Sequence, residues 1–296
     1  MRAAAIFGPG CDTRHLKPFQ DIGRAQWRIG MPATRADADA LLIFGGDGTI
    51  HRHLAELVRL QVPLLIAPCG SGNDLARALG LRRRRDSLAA WRAFVGGTGN
   101  VRAIDLGVIR QFEPPTVTHE PDEPTRHYFC TVGGVGLDAE VARRANRLPR
   151  WLRGRGGYVL SLLPALWSFR PAAVRLQTGD EKPAAARPRG VSTLTAFANA
   201  PAYGGGMRIA PRARMDDGLI DVCAVDRVGK LKLLCLFPTV FFGRHLKIAE
   251  VEYFQAERLR LETEKPADVY ADGEFVCRTP IEVSVARQAL RVIVPR

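Results

Sequence analysis

Two glycine-rich stretches carry the residues best suited to chemistry in this chain. Gly45-Gly46-Asp47-Gly48-Thr49 closes one apolar run and opens a helical one. Glycines at a strand-to-helix turn let backbone N–H groups approach a phosphate, and the helix N-terminus adds positive potential. An Asp inside such a loop can hold Mg2+, directly or through water. The Gly-Lys-Ser/Thr ending of a Walker A loop is absent, and so is the dinucleotide pattern G-x-G-x-x-G. Taken alone, the stretch also fits a tight turn in any α/β protein. The second stretch is Gly70-Ser71-Gly72-Asn73-Asp74. Ser71 and Asn73 offer donors to a phosphate, although Asn73 equally suits a plain N-cap. Asp74 suits the first turn of a helix whatever its role. A third candidate, Asp272-Gly273-Glu274, sets a carboxylate beside a type I′ hairpin turn. Glu274 there is either a base or a solvated strand residue.

The elements around these residues fall into two kinds. Apolar runs at Ala3–Phe7, Ala25–Ile29, Ala40–Phe44 and Val62–Ala67 alternate with helical spacing at His15–Ile22, Ile50–Leu60 and Leu75–Leu79. This repeat predicts parallel βα units with helices on both faces. Both glycine loops then fall at the carboxyl edge of the sheet, where open α/β sheets bind ligands. After Gly96-Gly97 the runs shorten and grow richer in Val, Ile and Thr: Ala103–Ile109, His127–Val132, Val191–Asn199, Leu219–Val225, Leu259–Thr263, Val269–Tyr270, Ile281–Val285 and Leu290–Val294. That is an antiparallel β pattern. It is interrupted by helical spacing at Asp138–Asn146, Gly157–Trp167 and Leu231–Phe237, and by two polar inserts, Glu113–Arg126 and Thr178–Arg189, that read as loops. The expected organisation is a Rossmann-like α/β nucleotide-binding domain over 1–102 and a β-rich, sandwich-like domain over 103–296. The last strand is free to return to the first domain.

Length and composition agree with this. At 296 residues and 32.5 kDa the chain is too long for one simple core. Its 46% hydrophobic and 25% charged residues exclude a disordered or fibrous protein. The net charge of +13 favours a polyanion, whether nucleotide, nucleic acid or anionic membrane. No nucleic-acid module is present. Arg82–Arg85 reads as a solvated patch, while Arg143–Arg155 holds six arginines and no acid, with Leu148, Trp151 and Leu152 interleaved. Followed by Gly157–Trp167, this suits an interfacial segment on anionic lipid; packing of Trp151 and Trp167 into the second domain is the alternative. The six cysteines form no CxxC pair and no His cluster accompanies them, which argues against zinc and against a disulfide scaffold. The start Met1–Phe7 is too short for a signal-peptide core, and no apolar stretch reaches the roughly 18 residues of a membrane span. A cytoplasmic protein that touches a membrane peripherally is the expectation.

The first two motifs also carry a family resemblance. Ile43–Thr49 followed by Pro63–Gly80 resembles the catalytic domain of the diacylglycerol kinase superfamily, and within it the soluble bacterial lipid kinases. The GGDGT motif is shared with NAD kinases and phosphofructokinases; G-S-G-N-D-L-A-R is far more specific. Ala103–Gly107, Phe129–Gly136 (as a glycine turn), Asn199-Ala200, Gly204–Ala213, Met215–Leu219 and Asp272–Glu274 extend the match.

The resemblance implies an NAD kinase/diacylglycerol kinase-like fold and ATP- and Mg2+-dependent phosphoryl transfer to a lipid hydroxyl in the cleft between the domains. It assigns the base to Glu274. Asp47 would engage Mg2+ through water, with Asp74 and Asp105 as the acidic network behind it. Gly45, Gly46, Gly48, Thr49, Gly70, Ser71, Gly72 and Asn73 would bind the nucleotide, joined by Thr34. A structural Mg2+ would take the Asp217 side chain and the Arg214 and Leu219 carbonyls, an ordinary Asp-Gly turn being the alternative. Asp105, in an otherwise apolar strand, needs a partner in any reading. Three departures stand out. Gly8-Pro9-Gly10 replaces an Asn-Pro strand end, and His51 replaces an Asn. Only nine residues, Met31–Asp39, separate Gly30 from Ala40, where a parallel crossover with its helix takes about 10–12. Two other readings remain: another kinase of the GGDGT superfamily such as an NAD kinase, and a non-catalytic sensor of nucleotide or anionic lipid. The acceptor lipid and the oligomeric state, a homodimer included, are not legible.

Overall fold

In the computed structural model, which describes residues 1–112, 126–148, 155–179 and 187–296, the first apolar run becomes β1 (Arg2–Phe7). After it come α1 (Thr13–Gln20), β2 (Gln26–Ile29), β3 (Ala40–Gly45), α2 (Asp47–Leu60), β4 (Leu64–Pro68), α3 (Asp74–Ala78) and α4 (Arg84–Val95). β1 pairs in parallel with β2 on one side and β3 on the other, and β3 pairs in parallel with β4. All six residues of β3 are buried, as its unbroken apolar run requires of a strand covered on both faces. Phe44 packs edge-on against Phe19 of α1, with ring centroids 5.2 Å apart. The chain leaves β1 for β2 and returns on its far side as β3. This makes the β1/β3 boundary the topological switch point, the place where such sheets open a crevice.

The short β2–β3 connection contains only a single 3-10 turn, Arg35–Asp37. The Arg82–Arg85 tract is exposed, as a solvated patch requires, and its last two residues open α4. That helix buries Ser87, Ala90 and Trp91, and the Trp91 indole donates to the Phe19 carbonyl (3.1 Å).

The chain divides into two units, Met1–Asp105 with Arg287–Arg296, and Leu106–Ala286. β5 (Val101–Gln111) begins in the first and ends in the second. The second unit continues with β6 (Arg126–Phe129), β7 (Val132–Gly136), α5 (Leu137–Ala145), α6 (Arg155–Ser168), β8 (Ala172–Thr178), β9 (Arg187–Ala198), β10 (Ile220–Asp226), α7 (Lys230–Leu236), β11 (Val251–Ala256), β12 (Arg258–Thr263), β13 (Asp268–Ala271) and β14 (Glu274–Arg278). β15 (Ile281–Ile293) carries the chain back, and its Val292 pairs in parallel with Leu64 of β4. Within the second unit the ladders are antiparallel: β9 pairs with β7, β8 and β10, β13 with β7 and β14, and β12 with β8 and β15. Their apolar faces close on one cluster that includes Phe129, Phe197, Leu259, Leu261 and Ile281.

Three expectations for this unit change. Val132–Gly136 is a strand paired on both edges, not a glycine turn. Its glycines are explained by packing, since the Phe197 ring occupies the space that a side chain at Gly133 would need. The run His127–Val132 breaks at Cys130-Thr131, whose amides are diverted to a side chain described below. The polar insert after Thr178 is strand again from Arg187, because backbone pairing to β8 does not depend on apolar side chains. The rest of the two inserts, 113–125 and 180–186, and the Trp151 and Leu152 positions lie outside the described residues.

Candidate active site

The two glycine loops of the first unit follow β3 and β4 and meet backbone to backbone. A Cβ built on Gly70 would stand 2.6 Å from the Gly46 Cα, and one on Gly46 would stand 2.9 Å from the Gly70 Cα. Neither distance admits any other residue. Asn73 takes the left-handed conformation (φ 54°) at the N-cap of α3, yet its side chain does not cap that helix. It turns back on Gly70 instead, accepting from its amide (2.9 Å) and donating to its carbonyl (2.5 Å). The capping is done by Asp47. Its carboxylate accepts from the amides of Asp74 (3.0 Å) and Leu75 (3.2 Å), so the first residue of α2 ties down the start of α3. A Cβ built on Gly72 would stand 2.7 Å from Asp47 Oδ2 and 3.8 Å from Asp74 Oδ2. Two carboxylates thus border one glycine. Asp74 faces Arg77, whose buried Nη1 lies 3.6 Å from Asp74 Oδ1 and forms no hydrogen bond.

Thr49 is buried and packs against Gly8 of the loop after β1 as well as Gly45. Asp105 is buried in β5 and accepts the Gln288 amide at 2.7 Å, which supplies a partner its burial demands. Thr34 is committed locally: its amide (2.7 Å) and hydroxyl (2.9 Å) both donate to Asp37 and cap the 3-10 turn.

In the second unit, Asp272 (φ 51°) and Gly273 (φ 83°) make the tight turn between β13 and β14. The Asp272 carboxylate accepts from the amides of Cys130 (2.8 Å) and Thr131 (2.8 Å) and from the Thr131 hydroxyl (2.6 Å). Asn146 donates to the Gly273 carbonyl at 2.6 Å. Four hydrogen bonds from outside the hairpin therefore fix the turn, and Glu274 stands exposed immediately after it. The same unit holds an almost wholly apolar cavity of about 100 Å3, lined by residues of α5, α6, α7 and β10. One carboxylate faces it: Asp138, fully buried and bonded by the Tyr203 hydroxyl. Burial pushes its carboxyl up to about 6, against the pull of the tyrosine.

Residues 25–110 match the model of the diacylglycerol kinase catalytic domain, and residues 131–294 match that of the YegS C-terminal NAD kinase beta sandwich-like domain. The diacylglycerol kinase of Mycobacterium tuberculosis is 37% identical over 89% of this chain and 79% of its own length. This chain belongs to the diacylglycerol kinase family of lipid kinases. A diacylglycerol kinase structure from Bacillus anthracis matches the fold with a TM-score of 0.68 at 16% identity, covering 99% of this chain and 96% of the other. An Archaeoglobus fulgidus NAD kinase in complex with ATP gives a TM-score of 0.54 at 14% identity, covering 100% and 94%. The general activity of the family, kinase chemistry, comes with membership.

Set in this lipid kinase, the remaining sequence candidates are distributed as follows. Asp217 accepts the Leu219 amide (3.1 Å) within an Asp-Gly turn, and Arg214 pairs with Asp216 (3.2 Å). No described helix is long and apolar enough to cross a membrane. Exposed apolar residues gather instead on α6 and α7 and just beyond: Leu163, Trp167, Leu231 and Phe242. Lys230 joins the two helices by donating to the Trp167 carbonyl (2.6 Å). Three features escaped the sequence reading. Asp272 looked like a turn former only, because its partners lie about 140 positions away. Asp138 lay inside an amphipathic helix beside a second acid, Glu140, and no local signal marks which of the two is buried. Cys69 converges in the first unit on Cys11 and His15, which lie more than 50 positions earlier.

Proposed function

We propose that this kinase transfers the γ-phosphoryl group of ATP to the hydroxyl of a diacylglycerol-like lipid, with Glu274 as the general base. The observation that carries the reading is the cross-tie of the two glycine loops by Asp47 at the carboxyl edge of a parallel sheet. Loops so joined hold the start of α2, with the positive end of that helix, as a rigid surface for a phosphate chain. Arg77, whose buried Nη1 pairs with Asp74 at 3.6 Å without a hydrogen bond, adds a cation beside them. Asp47 and Asp74 offer hard oxygen ligands that suit Mg2+. Bound there, Mg2+ would neutralise charge on the phosphates. Asp105 would hold the acidic network from behind. Asp217, with the Arg214 and Leu219 carbonyls, remains the family-based candidate for a structural Mg2+.

Two features support the reading of Glu274 as the base: the turn before it is held by hydrogen bonds from outside the hairpin, and its own side chain is exposed. The base takes the lipid hydroxyl proton as the oxygen attacks the γ-phosphorus and the bond to ADP breaks. The apolar cavity supports an acyl-bearing acceptor, since its lining offers little to a nucleotide. The exposed apolar residues of α6 and α7, with a basic chain around them, suit a protein that reaches its substrate at an anionic bilayer.

The test is phosphate transfer from labelled ATP and Mg2+ to diacylglycerol, phosphatidylglycerol, a sphingoid base, a ceramide and NAD, the lipids in mixed micelles. Phosphorylation of a lipid but not NAD is expected. Phosphorylation of NAD would shift the assignment to the NAD kinases, and ATP binding without turnover would favour a sensor.

A further inference from the structure

Three side chains that the proposed phosphoryl transfer does not use converge at the carboxyl edge of the first sheet. Cys11 follows β1, His15 lies in the first turn of α1, and Cys69 follows β4. Both sulfur atoms and a ring nitrogen of His15 lie within 4.8 Å of one another. Neither cysteine is in a disulfide.

Each ligand is held by its own backbone or neighbour. The Cys11 amide donates to the Gly8 carbonyl (3.0 Å), and the Cys69 amide donates to the Gly45 carbonyl (3.0 Å). His15 Nδ1 is 3.1 Å from Asp12 Oδ1 and 3.2 Å from the Asp12 amide, which together fix the ring. A carboxylate on one ring nitrogen fixes an imidazole and raises the basicity of the other nitrogen, the usual support of a ligating histidine. In the tautomer whose Nδ1 proton goes to Asp12, Nε2 is left bare for a metal.

We propose that Cys11, His15 and Cys69 form a Zn2+ site, with two thiolates and one imidazole as its protein ligands. Sulfur with imidazole selects this ion over the hard Mg2+ of the phosphoryl-transfer site. With bonds of about 2.3 Å to sulfur and 2.0 Å to nitrogen, the ligand atoms of a tetrahedral site stand about 3.6–3.8 Å apart. Closing to that spacing from within 4.8 Å needs side-chain rotation of an ångström or so. Three protein ligands leave the fourth position for water. Ligation ties the loop after β1 to the loop after β4, on either side of the β3–α2 turn. No part of this depends on the identity of the lipid.

The test uses the full chain, reduced and free of metal, titrated with Co2+ as a spectroscopic probe and then with Zn2+. One equivalent of Co2+ should produce a thiolate-to-cobalt charge-transfer band that one equivalent of Zn2+ removes. Cys235→Ser, a substitution of an exposed cysteine in α7, should keep the band. Cys69→Ser should abolish it; Cys69 is exposed, so the fold survives the change, which circular dichroism checks. Asp12→Asn should weaken Zn2+ affinity about 10–100-fold while leaving the band in place. Absence of the band in the wild type, or its persistence in Cys69→Ser, would overturn the proposal. So would a chain that forms a Cys11–Cys69 disulfide in air yet takes up no metal when reduced.

Discussion

At the residue scale, the D-G-E turn allows the geometry around the proposed base to be changed apart from its charge. Asp272 holds a left-handed backbone that Asn adopts nearly as well, so Asp272→Asn keeps the turn and removes only the anion that gathers the Cys130 and Thr131 amides. The variant should lose about 1–3 kcal/mol of stability, the scale of charge-assisted bonds. Its kcat should fall while KM for ATP stays put. Thermal melting and steady-state kinetics check both. Asp138 gives a prediction of opposite sign. Its carboxyl is raised from 3.8 to about 6 in the folded state, so that between those values the native chain binds more protons than the unfolded one. Stability therefore falls as pH rises through the window. Asp138→Asn keeps an acceptor for Tyr203 and removes the buried charge, so it should be more stable than wild type above about pH 6, by on the order of 2–3 kcal/mol. The advantage should vanish near pH 4. Denaturant midpoints that fail to converge toward low pH would refute this reading of Asp138.

At the scale of elements, the Gly46–Gly70 contact is the joint that makes two loops act as one. Gly70→Ala would press its Cβ onto backbone at Gly46 and onto the Asn73 amide, neither of which can retreat. ATP affinity, read by calorimetry, should drop by about 10-fold or more, and wild-type affinity in this variant would mean that the loops bind independently. Most of the first unit was legible because its signals are local: apolar runs closed by glycines give parallel strands, and the short Met31–Asp39 spacing leaves no room for a helix. Helix α4 was missed because its arginines dilute a short apolar stripe, Ser87, Ala90 and Trp91, whose burial depends on Phe19. The candidate residues were legible as types but not as contacts. Asn73 and Asp47 exchange roles between cap and loop clamp, and that choice follows from the Gly46–Gly70 approach, which no local pattern encodes. The Cys11–His15–Cys69 cluster is invisible for the same reason, since parallel strands bring together residues that spacing rules treat as unrelated.

At the scale of the whole molecule, the proposed approach to an anionic bilayer would use the charge of +13 together with the exposed apolar residues of the second unit. Binding to phosphatidylglycerol vesicles should weaken as salt rises, because the charge contribution is screened. Trp167→Ala with Phe242→Ala should weaken it at every salt concentration, because exposed apolar area is removed; co-sedimentation distinguishes the two effects. The central claim, however, is that Glu274 removes the proton from a lipid hydroxyl. The most direct measurement is single-turnover phosphate transfer from labelled ATP to diacylglycerol in mixed micelles, wild type against Glu274→Gln, with ATP binding followed in parallel. The account predicts a fall of about 100-fold or more, with ATP affinity and melting unchanged because Glu274 is exposed. Transfer at the wild-type rate in Glu274→Gln would contradict it.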